Sequence, residues 1–246
     1  MKFRIALVAL SALFVASCGK GGDATGGTSA APVAAVKPPA GQNWVDVVSP
    51  TPEGGMRMGN PDAPVKLVEY GSRACPFCAR FDAEGVPALR SGAIAQGKLS
   101  YEFREYPIHG PLDFAPILLG RCVDSAAFFP MLDQMMAGQP QLLAKEEEVS
   151  KQVQALPNPT PVQMANTFAN GLGYVDFVKQ RGVPEAKARA CLNDQKGFDR
   201  IAKEMETANQ QYNISGTPTF IVNGTVAANV NDWTQLQPVL KGAGAL

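Results

Sequence analysis

Apolar residues fall in short blocks whose spacing changes along the chain. Val65-Lys66-Leu67-Val68-Glu69-Tyr70 is a brief apolar run between turn signals and predicts a buried strand. Directly after it, Cys75-Pro76-Phe77-Cys78 opens a stretch with helical spacing through Phe81, Val86 and Leu89. Residues 99–106 alternate apolar and polar positions, a second strand stopped by Pro107. From Pro111 to about Gln195 the pattern turns helical. Ile117, Leu118, Arg121 and Cys122 share one face; Phe128, Met131, Leu132, Met135 and Met136 share another. Residues 162–172 and 184–192 predict further helices, each with a proline near its start. Residues 198–212 form a longer amphipathic pattern. Two short apolar runs, 219–222 and 226–228, are joined by Asn223-Gly224-Thr225 and predict a β-hairpin. A closing helix is expected over 232–240, capped by Asn231.

The N-terminus has a different character. Lys2 and Arg4 precede an apolar run over residues 5–16 broken only by Ser11. Such a run is too short for a bilayer, which needs about 20 residues, and predicts a secretory signal peptide. Val15-Ala16-Ser17-Cys18-Gly19 resembles a bacterial lipobox. That resemblance implies that Cys18 is the lipidated first residue of the mature chain, and Gly19 after it implies sorting to the outer membrane. Ordinary cleavage nearby, with Cys18 incidental, is the alternative. Residues 19–42 are almost all Gly, Ala, Ser, Thr, Pro and Lys, a composition that predicts a flexible tether.

Composition narrows the chemistry. With 46 % hydrophobic and 18 % charged residues in 246, disorder and coiled coil are excluded. Twenty-two basic residues balance 22 acidic ones, so no basic field exists to hold nucleic acid. Five cysteines against one histidine point to sulfur chemistry. A C-x-x-C pair alone is ambiguous. Zinc needs four ligands, usually in two pairs, but the other cysteines are scattered and the only histidine is His109. Haem attachment needs a histidine where Ala79 stands. A strand before the motif, a helix after it and Pro76 inside it favour a redox dithiol. At a helix start, unpaired N–H groups stabilise a thiolate. Cys75 is therefore expected to be the exposed attacking sulfur, and Cys78, one turn in, the shielded resolving one. Arg73 could add to thiolate stabilisation or be a solvated surface arginine. Glu69 would be a costly charge on a buried strand, or else it occupies an edge facing water. Thr217-Pro218 sits directly before a strand, where proline is normally excluded.

The element order β-α-β, several helices, a long helix and β-β-α is that of an α/β thioredoxin fold with an all-helical insertion. Glu69, Cys75-Pro76-Phe77-Cys78 and Gly216-Thr217-Pro218-Thr219-Phe220 together resemble the DsbA-like family of extracytoplasmic thiol–disulfide oxidoreductases, over about residues 44–246. The resemblance implies that Glu69 is a buried acid moving the proton of Cys78, and that Pro218 is cis beside the dithiol. It also implies that Thr217 offers its backbone to an extended client segment, with Pro76 and Phe77 on the same client-facing surface. The expected partners are client proteins, a membrane redox partner that resets the dithiol, and the membrane through the lipid anchor, in the periplasm; neither cofactor nor metal is implied. Domains follow: signal peptide 1–17, lipidated tether 18–43, first thioredoxin part 44–110, insertion 111–195 and second thioredoxin part 196–246. Phe77 stands where the family often has histidine, and threonine rather than valine precedes Pro218. Both departures leave room for a reductase or isomerase, and a non-catalytic binding lipoprotein is the reading from another class.

Cys122 and Cys191 remain. In a secreted protein they are expected to pair, the alternative being two buried unreactive thiols. His109 could face the dithiol cleft or lie in a solvent-exposed loop. Phe128, Phe129, Met131, Met135 and Met136 could line an adaptable client groove or pack a core.

Overall fold

The computed structural model describes residues 30–246. Cys18, the signal peptide and the start of the tether lie outside the described residues. One sheet contains β1 (Val48–Pro50), β2 (Met56–Met58), β3 (Val65–Gly71), β4 (Leu99–Glu105), β5 (Thr219–Val222) and β6 (Thr225–Val226). Helices α1 (Pro76–Leu89) and α2 (Pro111–Gly120) flank β4 in sequence. The helical stretch continues with α3 (Ser125–Ala137), α4 (Gln139–Leu142), α5 (Glu146–Gln154) and α6 (Pro161–Gly171). It closes with α7 (Tyr174–Lys179), α8 (Glu185–Leu192) and α9 (Gln195–Tyr212), and α10 (Trp233–Gly242) follows the last strand.

The strand order is β1-β2-β4-β3-β5-β6, with β3 and β4 parallel and the other neighbours antiparallel. β3 therefore sits between two partners and is covered on both faces, which its apolar run requires. Leu67, Phe103 and Phe220 point to one face and pack with Cys78, Phe81 and Leu236 from α1 and α10. Tyr70, Tyr106 and Ile221 point to the other and meet Ala208 of α9.

The insertion has its own core around Leu119, Met135, Phe168, Tyr174 and Leu192. α3 belongs to both cores. Its Phe128, Phe129, Leu132 and Met136 join the sheet core, whereas Met131 and Met135 face the insertion. All five candidate groove residues are thus buried by packing, and the client-groove reading is corrected.

Several boundaries differ from expectation. The hairpin β1–β2 has three residues per strand, too few to show a period of two. β6 ends at Val226, so the second arm of the predicted hairpin is shorter. The cap of α10 is Asp232, whose carboxylate accepts from the Gln235 N–H, not Asn231. α2 stops at Gly120, which places Cys122 in the following turn rather than on a helix face. Order also begins before Trp44. The N–H groups of Ala30 and Val33 donate to the carbonyls of Gly242 and Gly244, and Val36 to that of Gln96. The indole N–H of Trp44 closes on the Val36 carbonyl at 2.7 Å, so this part of the expected tether is held against the domain.

Candidate active site

β3 ends at Gly71, and the chain crosses residues 72–74 to enter α1 with Cys75 as N-cap and Pro76 as the first helical residue. Proline suits that place, because the first helical N–H has no partner within the helix. Both sulfurs are unbridged. Cys75 is only 4 % exposed and Cys78 is fully buried, which corrects the expectation of an openly exposed first cysteine. Their surroundings, rather than gross exposure, separate them. The Cys75 thiol is lowered to about 5, chiefly by the hydrogen bond with Cys78, with Thr217 and the N–H groups of Phe77 and Cys78 adding to it against partial desolvation. Burial pushes Cys78 well above the usual thiol range, and Cys75 and Glu69 push it further.

Glu69 is 2 % exposed in the central strand, between Phe103 of β4 and Phe220 of β5, so the edge alternative is overturned. Desolvation raises its carboxyl to about 8 against the opposing hydrogen bond from Tyr101. The Tyr101 hydroxyl donates to Oε2 at 2.5 Å, while Oε1 is buried without a hydrogen-bond partner. Gly71, two residues on, has to be glycine for steric reasons: a Cβ there would enter the Phe103 ring and crowd Glu69 Oε1.

The peptide bond Thr217–Pro218 is cis. It brings the Thr217 carbonyl to the dithiol, where it accepts from Cys75 Sγ at 3.2 Å. A groove of about 430 Å³ beside it is lined by Phe77, Ile214, Thr217, Pro218, Val226 and Val230. Phe77 is 47 % exposed at its rim, with the Arg80 guanidinium 5.3 Å from the ring centre.

Arg73 does neither thing expected of it. It is fully buried, and Nε and Nη2 donate to Glu105 Oε1 at 2.9 and 2.7 Å. Its guanidinium also lies 5.2 Å from the Phe128 ring centre and donates to the Met135 sulfur at 3.2 Å. Gly120 gives it room, since a Cβ at that position would collide with the guanidinium. The charge is therefore committed to Glu105 rather than to the Cys75 thiolate.

Other residues that build the site were not evident in the sequence. Gln139, the first residue of α4, is buried and donates through Nε2 to the carbonyls of Arg73 and Cys75 at 3.0 and 3.1 Å. It clamps the turn before α1 from the insertion. Ser72 and Asp113, both fully buried, hydrogen-bond at 2.6 Å. No local pattern marks these residues, because each acts across 41 to 66 positions. Cys122 and Cys191 form a disulfide with Cα atoms 6.1 Å apart, tying the turn after α2 to α8.

Comparison with known proteins agrees with this geometry. The family model described as Thioredoxin matches residues 51–242. The crystal structure of protein-disulfide isomerase from Novosphingobium aromaticivorans superposes with a TM-score of 0.70 and 30 % identity, covering 76 % of this chain and 95 % of that one. Wolbachia pipientis alpha-DsbA1 shares the fold at a TM-score of 0.61 and 18 % identity, over 79 % of this chain and 92 % of its own. Disulfide bond formation protein D of Bacillus subtilis is 25 % identical over 201 residues, 80 % of this chain and 81 % of that protein. Two further curated relatives, from Rickettsia bellii and Salinispora tropica, are longer, and the chain spans 60 % and 24 % of their lengths. On the match over residues 51–242 this chain belongs to the thioredoxin family, and its fold is the DsbA-like one.

Proposed function

We propose that the protein is an extracytoplasmic thiol–disulfide oxidoreductase that oxidises client dithiols through a Cys75–Cys78 disulfide. The observation that carries this reading is the placement of two unbridged thiols, Cys75 as the cap of α1 against the carbonyl before cis-Pro218 and Cys78 buried one turn in. That arrangement lowers Cys75 to about 5 and raises Cys78. A client thiolate attacks Cys75 Sγ, the Cys75–Cys78 bond breaks, and a client–Cys75 mixed disulfide forms. The Cys78 sulfur leaves with the electron pair and takes a proton, for which protonated Glu69 is the adjacent source. A second client thiolate then attacks the client sulfur and expels Cys75 as its stabilised thiolate. Two electrons have passed from client to protein, and a membrane redox partner removes them to reset the site. The extended client segment lies along Thr217 and the groove edged by Phe77 and Pro218. The protein-disulfide isomerase and the disulfide bond formation protein named above support this chemistry. The proposed setting is the periplasm, with Cys18 as the lipidated anchor in the outer membrane. Residues 44–110 and 196–246 form the redox domain, and 111–195 the insertion.

Redox poise tests the direction. A thiolate at about 5 lies between about 3.5 for DsbA and about 7 for thioredoxin, whose potentials are about −120 and −270 mV. Interpolation predicts about −185 mV, a moderate oxidant. The measurement is equilibration with glutathione buffers, read by alkylation of Cys75. A value at or below the thioredoxin figure sinks the oxidase direction in favour of a reductase. Failure to exchange with glutathione at all removes the enzyme reading and leaves a binding lipoprotein.

A further inference from the structure

His109 is the single histidine of the chain, and the dithiol chemistry described above gives it no task. It lies in the loop between β4 and α2, exposed at its surface edge yet bound on its inner edge. Its Nδ1 is 3.1 Å from Asp113 Oδ2 and 3.2 Å from Ser72 Oγ, and its own backbone N–H donates to the same Oδ2 at 2.7 Å. Asp113 is fully buried, so this contact holds the ring against a fixed carboxylate. Ser72 continues the connection into the site. Its hydroxyl donates to Asp113 Oδ1 and accepts from the Ala74 N–H at 3.0 Å, and its carbonyl accepts from the Cys75 N–H at 3.2 Å. The imidazole is thus tied through two residues to the turn that carries the nucleophile, and His109 and Ala74 line one cleft.

We propose that His109 is a redox-linked proton site: its imidazolium stabilises the Cys75 thiolate of the reduced protein and gives up its charge more readily once the disulfide forms. The inference rests on the dithiol reading. Asp113 of α2 contacts the ring, and Cys75 at the start of α1 and Glu146 at the start of α5 act on it through their charge. All three favour the charged ring, Asp113 most, and only desolvation opposes them. Asp113 and Glu146 take no part in the dithiol reaction; the Cys75 charge does. In the reduced protein Cys75, tied to His109 through Ser72, carries the thiolate charge, and in the disulfide no sulfur charge remains. Linkage makes the effect reciprocal: whatever the thiolate does for the imidazolium, the imidazolium does for the thiolate. His109 therefore supplies part of the charge that Phe77 cannot, from the insertion side of the dithiol. When the Cys75 thiolate and Cys78 thiol become the disulfide, two electrons pass to the redox partner's disulfide and the Cys78 proton is released. In the pH range between its two midpoints His109 also gives its proton to solvent.

One histidine makes the test direct. The imidazole C–H resonances of the reduced protein, the disulfide protein and reduced Cys75→Ser are titrated by NMR. The midpoint is expected to be about 0.5 pH unit higher in the reduced wild type than in either of the others, the size of a partly exposed charge contact. The same coupling predicts that His109→Gln loses about threefold in its equilibrium constant with glutathione at pH 6, roughly 15 mV. That loss should shrink towards nothing at a pH above the higher of the two midpoints the titration gives, where the ring has lost its charge. A variant damaged only in packing would lose oxidising power equally at both pH values. Equal His109 midpoints in reduced wild type and Cys75→Ser overturn the inference. If the dithiol does not exchange with glutathione, the enzyme reading fails, and the Cys75→Ser comparison still decides the coupling.

Discussion

A single carboxyl group buried on the central strand makes the fold's stability depend on pH. Glu69 has its carboxyl raised to about 8 by desolvation, whereas in an unfolded chain it would titrate near 4.5. The folded state therefore binds a proton that the unfolded state has lost between these two values. Stability from this group is full below about 4.5 and falls as pH rises towards 8, because the unfolded state gains most from ionisation. Glu69→Gln keeps a neutral hydrogen-bonding group in the same space and removes that slope. The reduced variant is expected to gain on reduced wild type by up to about 4 kcal/mol between pH 5 and 8, read from urea midpoints. It should also slow proton delivery to Cys78, lowering dithiol exchange at neutral pH about 10²-fold, the low end of general acid catalysis. Unchanged exchange with the stability gain intact would leave Glu69 a buried acid without a part in the reaction. The position was legible in the sequence as a charge on an apolar strand. Its partner Tyr101 was not, since the alternation of β4 gives no sign of which hydroxyl meets Glu69 across 32 residues.

At the scale of elements, local patterns foretold the parts that carry the dithiol and missed those that brace it. β3, α1 and β4 emerge from periods of two and 3.6 with their ends marked by glycine and proline, so the strand–turn–helix around Cys75 was readable. β1 and β2 were not, because three residues cannot display a period. α4, with four residues, was equally silent, and Gln139 with it. The bridge between Cys122 and Cys191 joins the turn after α2 to α8 over 69 positions. By the chain-entropy argument, closing that loop stabilises the fold by about 4 kcal/mol. Cys122→Ser paired with Cys191→Ser is expected to lower the unfolding free energy by that amount while leaving the Cys75–Cys78 potential within about 10 mV. Oxidised, denatured protein lacking Cys18 should show no alkylatable thiol; two thiols mapped to these positions would falsify the bridge.

Across the whole molecule, the insertion reads in the sequence as a separate helical block, but side chains join it to the sheet. α3 divides its residues between the two cores, Gln139 holds the turn before Cys75, and Arg73 spans the seam between Glu105 of β4 and Met135 of α3. Sequence reasoning placed Arg73 either beside the Cys75 thiolate or in solvent, because arginine is seldom fully buried. What buries it is a tertiary coincidence: a carboxylate 32 residues away and the gap left by Gly120. An ion pair of this kind stabilises little beyond an apolar pair of the same shape, yet removing one member strands the other charge. Arg73→Met should therefore cost about 3–5 kcal/mol, and Arg73→Met with Glu105→Leu should recover most of it. The seam also predicts how the loss is distributed. Fluorescence of Trp44 and Trp233, both packed with the sheet side of the molecule, reports the thioredoxin part. The susceptibility of Cys122–Cys191 to reductant reports the insertion. If Arg73 couples the two cores, both probes move together to lower urea in Arg73→Met and return together in the double variant. Separate transitions in the wild type, with Arg73→Met shifting only one of them, would mean that the two cores fold independently and that the buried pair serves only its own side.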